Sequence, residues 1–256
     1  MRTNLIKPKV KPEVKAKVTS DDGMLDMVIA FDTTGSMSSY IEAVKRHVTK
    51  LVPKLFKANP NLRLGIVAFG DYCDMISKGV FGRAYQVLNL TNDEEKIIDF
   101  VKKAQDTAGG DGDEFYELVI KKIVEETGWR EGSTKAVLLI ADANPHRVGY
   151  SYEGIVSNSQ IDWKEEANKA AEKGIKFDTL TINDYKWYKE LSRMTNGISA
   201  PFKSSSKTSQ LVEAAAMSRG GKMAKEMYMA TMDVVMNSGD AEMKAVYTAY
   251  SKEVVY

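Results

Sequence analysis

The stretch that decides the fold is residues 26–38, Asp-Met-Val-Ile-Ala-Phe-Asp-Thr-Thr-Gly-Ser-Met-Ser. Its central apolar run is typical of a buried strand, and this run ends at Asp32. Hydroxyl side chains follow at Thr34 and Ser36, after which a helical pattern begins. Carboxylate and hydroxyl oxygens at alternate positions of a strand-to-helix loop can converge on one point. Such an oxygen-only shell is what a hard divalent cation binds, so the stretch predicts a cation site.

The composition bounds the class of protein. With 256 residues, 43% apolar and 28% charged, the chain suits one α/β domain with extensions, or at most two small domains. A net charge of +1 argues against binding nucleic acid through bulk charge. Cys73 is the only cysteine, which excludes an internal disulfide and favours a reducing compartment. No apolar run resembles a membrane span or a signal peptide, so we expect a cytoplasmic protein, or part of a particle assembled inside a cell.

From Asp26 the chain alternates strands and helices, which predicts a mostly parallel sheet covered by helices on both faces. The predicted strands cover residues 27–31, 62–69, 80–90, 135–141, 175–182 and 200–202. The predicted helices cover residues 38–52, 92–105, 113–126, 163–173, 185–194 and 210–217. Pro53 is expected to kink the first helix or to end it early.

Two segments flank the predicted core at residues 24–218. Residues 1–23 carry six Lys or Arg residues and are predicted to form an extended basic arm, for solubility or for docking on an acidic partner. Residues 219–256 hold six of the chain's 13 methionines, some at helical spacing. This extension is either a helix packed on its own domain or a partner-binding helix. Because the alternating pattern closes by Met217, we expect the core to fold without residues 221–256.

Three loops are expected to meet at the carboxyl edge of the sheet, where open α/β folds bind their ligands. The oxygen-bearing side chains in these loops are Asp32, Thr34 and Ser36 in the first, Thr107 and Asp111 in the second, and Asp142 in the third. Mg²⁺ suits this set because it prefers few carboxylates, neutral oxygens and retained waters. The first loop alone favours a helix cap over a metal site, so the metal interpretation depends on all three loops.

Four segments carry a resemblance to a known family. They are Phe31-Asp-Thr-Thr-Gly-Ser-Met, Gly70-Asp-Tyr-Cys-Asp, Gly109-Gly-Asp and Ile140-Ala-Asp-Ala-Asn-Pro-His. These segments resemble signatures of von Willebrand factor A domains, and most of all those found beside alpha-type protein kinases. The resemblance covers about residues 24–217 and implies a Rossmann-like three-layer fold. The kinase domain itself is absent from the sequence.

The resemblance also implies a metal-ion-dependent adhesion site. The family's first-loop ligands map onto Asp32, Thr34 and Ser36, and its third-loop aspartate, which often acts through a water, maps onto Asp142. The second-loop ligand is commonly Thr in the family. Counted from the paired glycines, this position is Asp111 here, and Thr107 lies just upstream, so both residues stay open. We expect Asp111 to contribute more.

Residues beside the predicted ligands have less distinctive patterns. His146 is interpreted as a loop histidine bonded to backbone rather than as a ligand or proton carrier. Asp71 and Asp74 either form a solvated acidic loop or add negative potential to the site. Cys73 is expected to be a small packing residue and not a nucleophile.

These observations favour a binding module over an enzyme. Bound Mg²⁺ or Mn²⁺ would keep one open position, and an Asp or Glu of a protein partner would complete the shell. A structural component of a larger assembly, such as a phage or secretion particle, is the main alternative, with contacts through the basic arm and the C-terminal extension. A metal-dependent hydrolase is less favoured, because the sequence places no general base. We expect no binding to membranes or nucleic acid.

Overall fold

The computed structural model describes residues 23–75 and 83–254. The strands are β1 (Leu25–Asp32), β2 (Leu62–Phe69), β3 (Tyr85–Thr91), β4 (Asp113–Glu114), β5 (Thr134–Ala141), β6 (Asn144–Pro145), β7 (Ile175–Thr181) and β8 (Ser199–Pro201). The helices are α1 (Ser38–Ala58), α2 (Glu94–Lys103), α3 (Tyr116–Glu126), α4 (Trp163–Glu172), α5 (Lys186–Met194), α6 (Thr208–Arg219), α7 (Lys222–Met236) and α8 (Ala241–Tyr250). Apart from Gly23, the predicted basic arm lies outside the described residues, as do positions 80–82 of the third predicted strand.

A six-stranded sheet with the order β3-β2-β1-β5-β7-β8 forms the centre of the molecule. Within it β3 runs antiparallel to β2, and the other neighbouring strands are parallel. Every residue of β1 is buried because helices cover both faces. Met27 and Ile29 pack toward α1, α2 and α6, whereas Val28 and Ala30 pack toward α3, α4 and α5. The predicted three-layer α/β fold is confirmed.

The first helix differs from its prediction at Pro53. Instead of ending there, α1 continues for five more residues to Ala58. Pro53 is exposed, while its neighbours Val52 and Leu55 are buried against the sheet. An interior proline costs a helix about 3 kcal/mol. Burial of apolar side chains on both sides of Pro53 offsets this loss, since each contributes about 1.5–3 kcal/mol.

The third helix begins later than the sequence predicts. Asp113 and Glu114 form β4, which pairs in parallel with Asn144 and Pro145 of β6, so α3 begins only at Tyr116. The extended backbone that this ladder requires is incompatible with a helix at the same residues. The small ladder joins the second predicted ligand loop to the third, at the carboxyl edge of the sheet.

The C-terminal extension packs on the domain that precedes it. Tyr228 of α7 and Tyr247 and Tyr250 of α8 are buried in the same apolar cluster as α1 and α6. Of the two interpretations of the Met-rich segment, the structure favours the helix packed on its own domain. The outer side of α7 leaves Val234 71% exposed. None of the helices in the described ranges has the length and apolar character to cross a membrane.

Candidate metal centre

Asp32, at the end of β1, is fully buried and organises the first loop. Its Oδ1 accepts hydrogen bonds from the backbone N of Thr34 at 2.8 Å and from Thr34 Oγ1 at 2.6 Å. Because the Thr34 hydroxyl donates its proton to Asp32, its oxygen lone pairs remain available for a cation. Ser36 is exposed, and its Oγ lies 3.5 Å from Thr34 Oγ1. Two adjacent oxygens bound to Mg²⁺ at about 2.1 Å lie about 3 Å apart, so a small closure would let both bind one ion.

Tyr116, the first residue of α3, connects the first and third loops. Its hydroxyl donates to Asp32 Oδ2 at 2.6 Å and accepts from the backbone N of Asp142 at 3.4 Å and of Ala143 at 3.3 Å. The ring is fully buried. Sequence reasoning missed this residue, since a tyrosine at the start of an amphipathic helix is not a distinctive pattern.

Asp142 follows β5 and is half-buried. Its backbone oxygen accepts from Asn183 Nδ2 at 2.6 Å. The next carbonyl, that of Ala143, accepts from Trp187 Nε1 at 3.0 Å and from the Tyr188 hydroxyl at 2.6 Å. Helix α5 therefore holds the third loop at the carboxyl edge of the sheet, where the negative charge of Asp142 contributes to raising the pKa of Asp32.

Thr107 of the second loop packs directly on the first loop. Its backbone N donates to the Thr33 carbonyl at 2.9 Å, and the two threonine Oγ1 atoms lie 2.9 Å apart. Thr33 Oγ1 donates its own proton to the Phe69 carbonyl, so Thr107 is the donor between the two hydroxyls. Like Thr34, Thr107 therefore keeps oxygen lone pairs that can bind a cation. Its contact residue, Thr33, lies between Asp32 and Thr34 in the sequence.

Asp111, the other second-loop candidate, has different neighbours. Its side chain is exposed, with Oδ2 accepting from the Tyr150 hydroxyl at 3.1 Å and Oδ1 from the backbone N of Asp113 at 3.0 Å. A carboxylate oxygen of Asp111 groups with those of Asp71 and the imidazole of His146, all within 4.8 Å of one another. The contacts to the first loop thus belong to Thr107, and Asp111 belongs to a neighbouring cluster.

Asp74 holds the second loop in place through hydrogen bonds to its backbone. This buried carboxylate accepts from the backbone N of Ala108 at 2.8 Å, of Gly109 at 3.3 Å and of Asp71 at 2.9 Å. A Cβ added to Gly70 would lie against Asp74 Oδ2 and Thr107 Oγ1, so this approach requires glycine. Of the two interpretations of Asp71 and Asp74, the solvated acidic loop is wrong, because both side chains are buried.

Glu114 is a second residue that sequence reasoning missed. It is 5% exposed, and within the described residues its Oε2 has no hydrogen-bond partner. Burial, together with the negative charges of Asp32, Asp71, Asp74 and Asp142, raises its pKa to about 10. A Cβ placed on Gly109 would lie 3.0 Å from Glu114 Oε1 and 3.3 Å from Thr34 Cγ2, so this carboxylate adjoins the first loop. Its position in the Gly-Gly-Asp-Gly-Asp-Glu segment is the only signal that the sequence offers.

Among the described residues, the buried carboxylates of Asp32, Asp74 and Glu114 at this edge have no Lys or Arg partner. Burial raises the pKa of Asp32 to about 7, although its hydrogen bonds from Thr34 and Tyr116 act to lower it. Among the ion pairs of the described residues, none joins Asp32, Asp74 or Glu114 to a Lys or Arg. Buried charges in proteins are paired or coordinate metals, so a divalent cation suits this donor set.

Buried aspartates elsewhere in the same sheet have arginine partners. Asp26, at the opposite end of β1, contacts Arg63 at 2.6 Å and Arg130 at 2.7 Å. Asp178 on β7 contacts Arg219 at 2.6 Å. Within the described ranges, the lack of such a partner at Asp32 therefore distinguishes the carboxyl edge from the rest of the sheet.

Two potential proton carriers near the site are both constrained. His146 is 3% exposed, and its Nε2 lies 2.7 Å from Asp71 Oδ1. Burial alone would lower the pKa of His146, but the hydrogen bond and charge of Asp71 outweigh it and raise the pKa. Burial and the nearby charges of Asp74 and Asp71 raise the pKa of Cys73 to about 12, so its thiol stays protonated at neutral pH.

Two known proteins are similar in sequence to about half of this chain. Alpha-protein kinase vwkA of Dictyostelium discoideum is 27% identical over 130 residues, which cover 49% of this chain and 19% of that protein. Human integrin beta-6 is 25% identical over 151 residues, covering 50% of this chain and 19% of that protein. The similarity thus spans less than one fifth of either relative.

Solved structures and the family match agree on the fold. The pilus adhesin SpaC from Lactobacillus rhamnosus GG, in its open conformation, superposes with a TM-score of 0.56 at 12% identity. This superposition covers 80% of the present chain and 30% of the adhesin, and it speaks to the fold alone. Residues 26–216 match the family model of the von Willebrand factor type A domain, and the chain therefore belongs to that family.

Proposed function

We propose that this protein is a metal-dependent protein-binding module. Mg²⁺, or Mn²⁺ in its place, binds through Asp32, Thr34, Ser36 and Thr107, with Asp142 acting through a water. The observation that carries the proposal is the buried carboxylate of Asp32, which has two hydroxyl neighbours and no Lys or Arg partner among the described residues. Domains of this family commonly bind a divalent metal and commonly mediate protein–protein interaction, which supports it.

The ligand from the partner is an Asp or Glu side chain. Thr34, Ser36 and Thr107 are neutral donors, so a bound dication keeps much of its charge at its open position. A carboxylate from another protein would then complete the shell through a charge-assisted bond. Ser36 is exposed, so the first loop is accessible from solvent at this residue.

Calorimetric titration of Mg²⁺ tests the site. The wild-type protein should bind one ion at this site, whereas Asp32→Ala should lose this binding and keep its circular dichroism spectrum. Asp184→Ala is the matched control, because Asp184 has a 77% exposed side chain in an ion pair with Lys189, on a surface loop. Equal Mg²⁺ affinity of Asp32→Ala and the wild type would rule out the assignment.

A pull-down from lysate, with Mg²⁺ or with a chelator, tests the binding role. Partners should be retained with Mg²⁺, released by the chelator, and absent from the Asp32→Ala bait. Partners that bind Asp32→Ala equally well would show that the metal does not mediate recognition.

The site is not proposed to be catalytic. Proton transfer requires a positioned acid or base. Cys73 stays protonated, and the buried His146 forms no hydrogen bond with Asp32 among the described residues. We expect no turnover of generic phosphoester, peptide or nucleotide substrates with Mg²⁺ or Mn²⁺. Activity that disappears in both Asp32→Ala and His146→Ala would promote the hydrolase instead.

A structural role in an assembly is the second candidate, and one surface favours it. Helix α7 exposes three large apolar side chains: Met223, Met229 and Val234. A scaffold that assembles through α7 would do so without metal. Val234→Asp would then reduce the assembled mass in light scattering while Asp32→Ala would not. The opposite pattern would support the metal-dependent module.

A further inference from the structure

A second group of ligand-type side chains lies beside the proposed Mg²⁺ site. It consists of Asp71 after β2, Asp111 in the loop before β4, and His146 directly after β6. One ligand atom from each residue lies within 4.8 Å of the other two. Three separate loops therefore bring two carboxylates and one imidazole together, and none of these residues forms a hydrogen bond with Asp32 among the described contacts.

The carboxylate of Asp71 shows that this group is incomplete. Asp71 is fully buried, and its Oδ1 lies 2.7 Å from His146 Nε2. Its Oδ2 is buried as well, yet within residues 23–75 and 83–254 it has no hydrogen-bond partner. A buried polar atom without a partner is destabilising by about 1–3 kcal/mol, and more when it is charged. An ion bound to this carboxylate would satisfy Oδ2.

The imidazole of His146 is held in position by its surroundings. Its backbone N donates to Glu117 Oε2 at 3.1 Å, and its ring stacks on Tyr150 with centroids 3.6 Å apart. The same Tyr150 donates its hydroxyl to Asp111 Oδ2 at 3.1 Å. One tyrosine thus orients two of the three ligands. Such support is typical of metal sites, in which neighbouring groups fix the direction of each ligand.

We propose that Asp71, Asp111 and His146 form a second cation site, distinct from the Mg²⁺ site and selective for a transition-metal dication such as Zn²⁺. The combination of one imidazole with two carboxylates decides the class of ion. Imidazole suits Zn²⁺ and its neighbours, whereas Mg²⁺ and Ca²⁺ prefer oxygen-only shells. Three protein ligands leave the fourth position of a tetrahedral Zn²⁺ to water.

Binding requires only a small rearrangement. Ligand atoms at about 2.0–2.1 Å from a tetrahedral Zn²⁺ lie about 3.3 Å apart. The 2.7 Å contact between Asp71 Oδ1 and His146 Nε2 would open slightly, and Nε2 would give up its proton to solvent and bind the ion. The exposed side chain of Asp111 would then approach the ion as its third protein ligand.

Histidine NMR provides a direct test, because His47 and His146 are the only histidines in the chain. We expect one equivalent of Zn²⁺ to shift the ring signals of His146 and to leave those of the exposed His47 unchanged. His47→Gln assigns the signals and serves as the matched control, since it should bind Zn²⁺ like the wild type. Shifts at His47 alone, or at neither ring, would overturn the proposal.

Variants test the ligands and the independence of the two sites. Asp71→Asn and His146→Gln should each weaken Zn²⁺ binding more than tenfold in calorimetry. The exposed Asp111→Asn gives the same test with little risk to folding. Asp32→Ala should bind Zn²⁺ within twofold of the wild type, and excess Mg²⁺ should not displace the Zn²⁺.

The outcomes also separate this proposal from the proposed function. Unchanged Zn²⁺ affinity in Asp71→Asn and Asp111→Asn would overturn the second site and leave the Mg²⁺ site standing. Loss of Zn²⁺ binding in Asp32→Ala would show one shared site and overturn the distinction. Failure of Mg²⁺ binding with Zn²⁺ binding intact would refute the proposed function alone.

Discussion

The hydroxyl of Tyr116 lies 2.6 Å from Asp32 Oδ2 and within 3.4 Å of the backbone N of Asp142. One side chain on α3 therefore connects the end of β1 with the loop after β5. Asp32 and Asp142, the carboxylates at these two places, are both proposed to bind one ion. The tyrosine donates to the ionised form of Asp32 and acts to lower its pKa, against the larger effect of burial. The hydrogen bond thereby helps to keep the buried carboxylate of Asp32 ionised, which is the form that binds a cation.

Tyr116→Phe should weaken Mg²⁺ binding tenfold or more and leave the fold intact. The ring remains in its apolar cluster, but Asp32 loses a charge-assisted hydrogen bond worth about 1.5–3 kcal/mol. Calorimetry at neutral pH measures the effect. The control is Tyr228→Phe, because Tyr228 is fully buried like Tyr116, but its hydroxyl donates to the Tyr247 carbonyl in the C-terminal extension. Equal affinities of the two variants would contradict a specific role for Tyr116.

The second-loop ligand can be decided by two substitutions. Sequence spacing favours Asp111, whereas the contacts of Thr107 with Thr33 favour Thr107. We predict that Thr107→Val weakens Mg²⁺ binding more than Asp111→Asn does, because valine keeps the shape of threonine and removes only the hydroxyl. Both affinities are measured by calorimetry at low salt. The reverse order would restore Asp111 as the ligand.

Removing the charge of Asp32 should stabilise the metal-free protein. The buried carboxylate lacks a Lys or Arg partner within the described residues, so Asp32→Asn should raise the melting temperature in chelator at pH 8 by about 2–4 °C, the shift expected from about 1 kcal/mol. Arg219→Met should do the opposite, because it leaves Asp178 buried and unpaired, a loss of about 3–5 kcal/mol. A fall in both variants would show that Asp32 is a structural residue.

The stability of the metal-free protein should decrease as the pH rises. The pKa of Asp32 is about 7 in the folded chain, against about 3.9 for an ordinary aspartate. The folded state therefore binds this proton more tightly, and the free energy of unfolding falls between about pH 4 and pH 7. The pKa of Glu114, raised to about 10, extends the decline to higher pH.

Thermal melting at pH 6 and pH 8 measures this dependence. In chelator the melting temperature should be higher at pH 6. Saturating Mg²⁺ should reduce the difference, because the ion binds the ionised carboxylates. Asp32→Asn should reduce the difference between pH 6 and pH 8 that the wild type shows in chelator. A metal-free protein that melts at a higher temperature at pH 8 would contradict the assignment.

Deleting residues 221–256 should destabilise the domain strongly. The sequence pattern closes at Met217 and predicts a core that folds without this segment. In the structure, however, Tyr228, Tyr247 and Tyr250 are buried against it, and Glu253 contacts Arg219 at 2.9 Å. Each large buried side chain contributes about 3–5 kcal/mol, which is much of a domain's total stability.

Urea denaturation of three proteins measures the role of the extension. We expect the truncated chain to be largely unfolded, Tyr250→Ala to lose about 3 kcal/mol or more, and the exposed Val234→Ala to change little. A truncated chain with the wild-type midpoint would restore the extension as a separate docking element.

Local patterns predicted most of the sheet and the position of the loop that follows β1. The strands β1, β2 and β5 can be recognised from their continuous apolar runs, because both faces of these strands are buried. Asp32, Thr34 and Ser36 lie on one short loop, so their spacing alone places their oxygens close together. The third helix was misplaced at its start, because its first predicted residues pair with β6, some 30 positions away.

What the sequence by itself determined is the order of strands and helices and the residue types at the carboxyl ends of the strands, since both depend on neighbours within a few positions. Only the tertiary structure decided which loops meet. It placed Tyr116 on Asp32, Thr107 on Thr33, and Asp111 beside His146. Tertiary packing also allows α1 to continue beyond Pro53, and it buries the C-terminal tyrosines. Each of these outcomes depends on packing between distant segments, whose free energies outweigh local preferences and leave no periodic pattern in the chain.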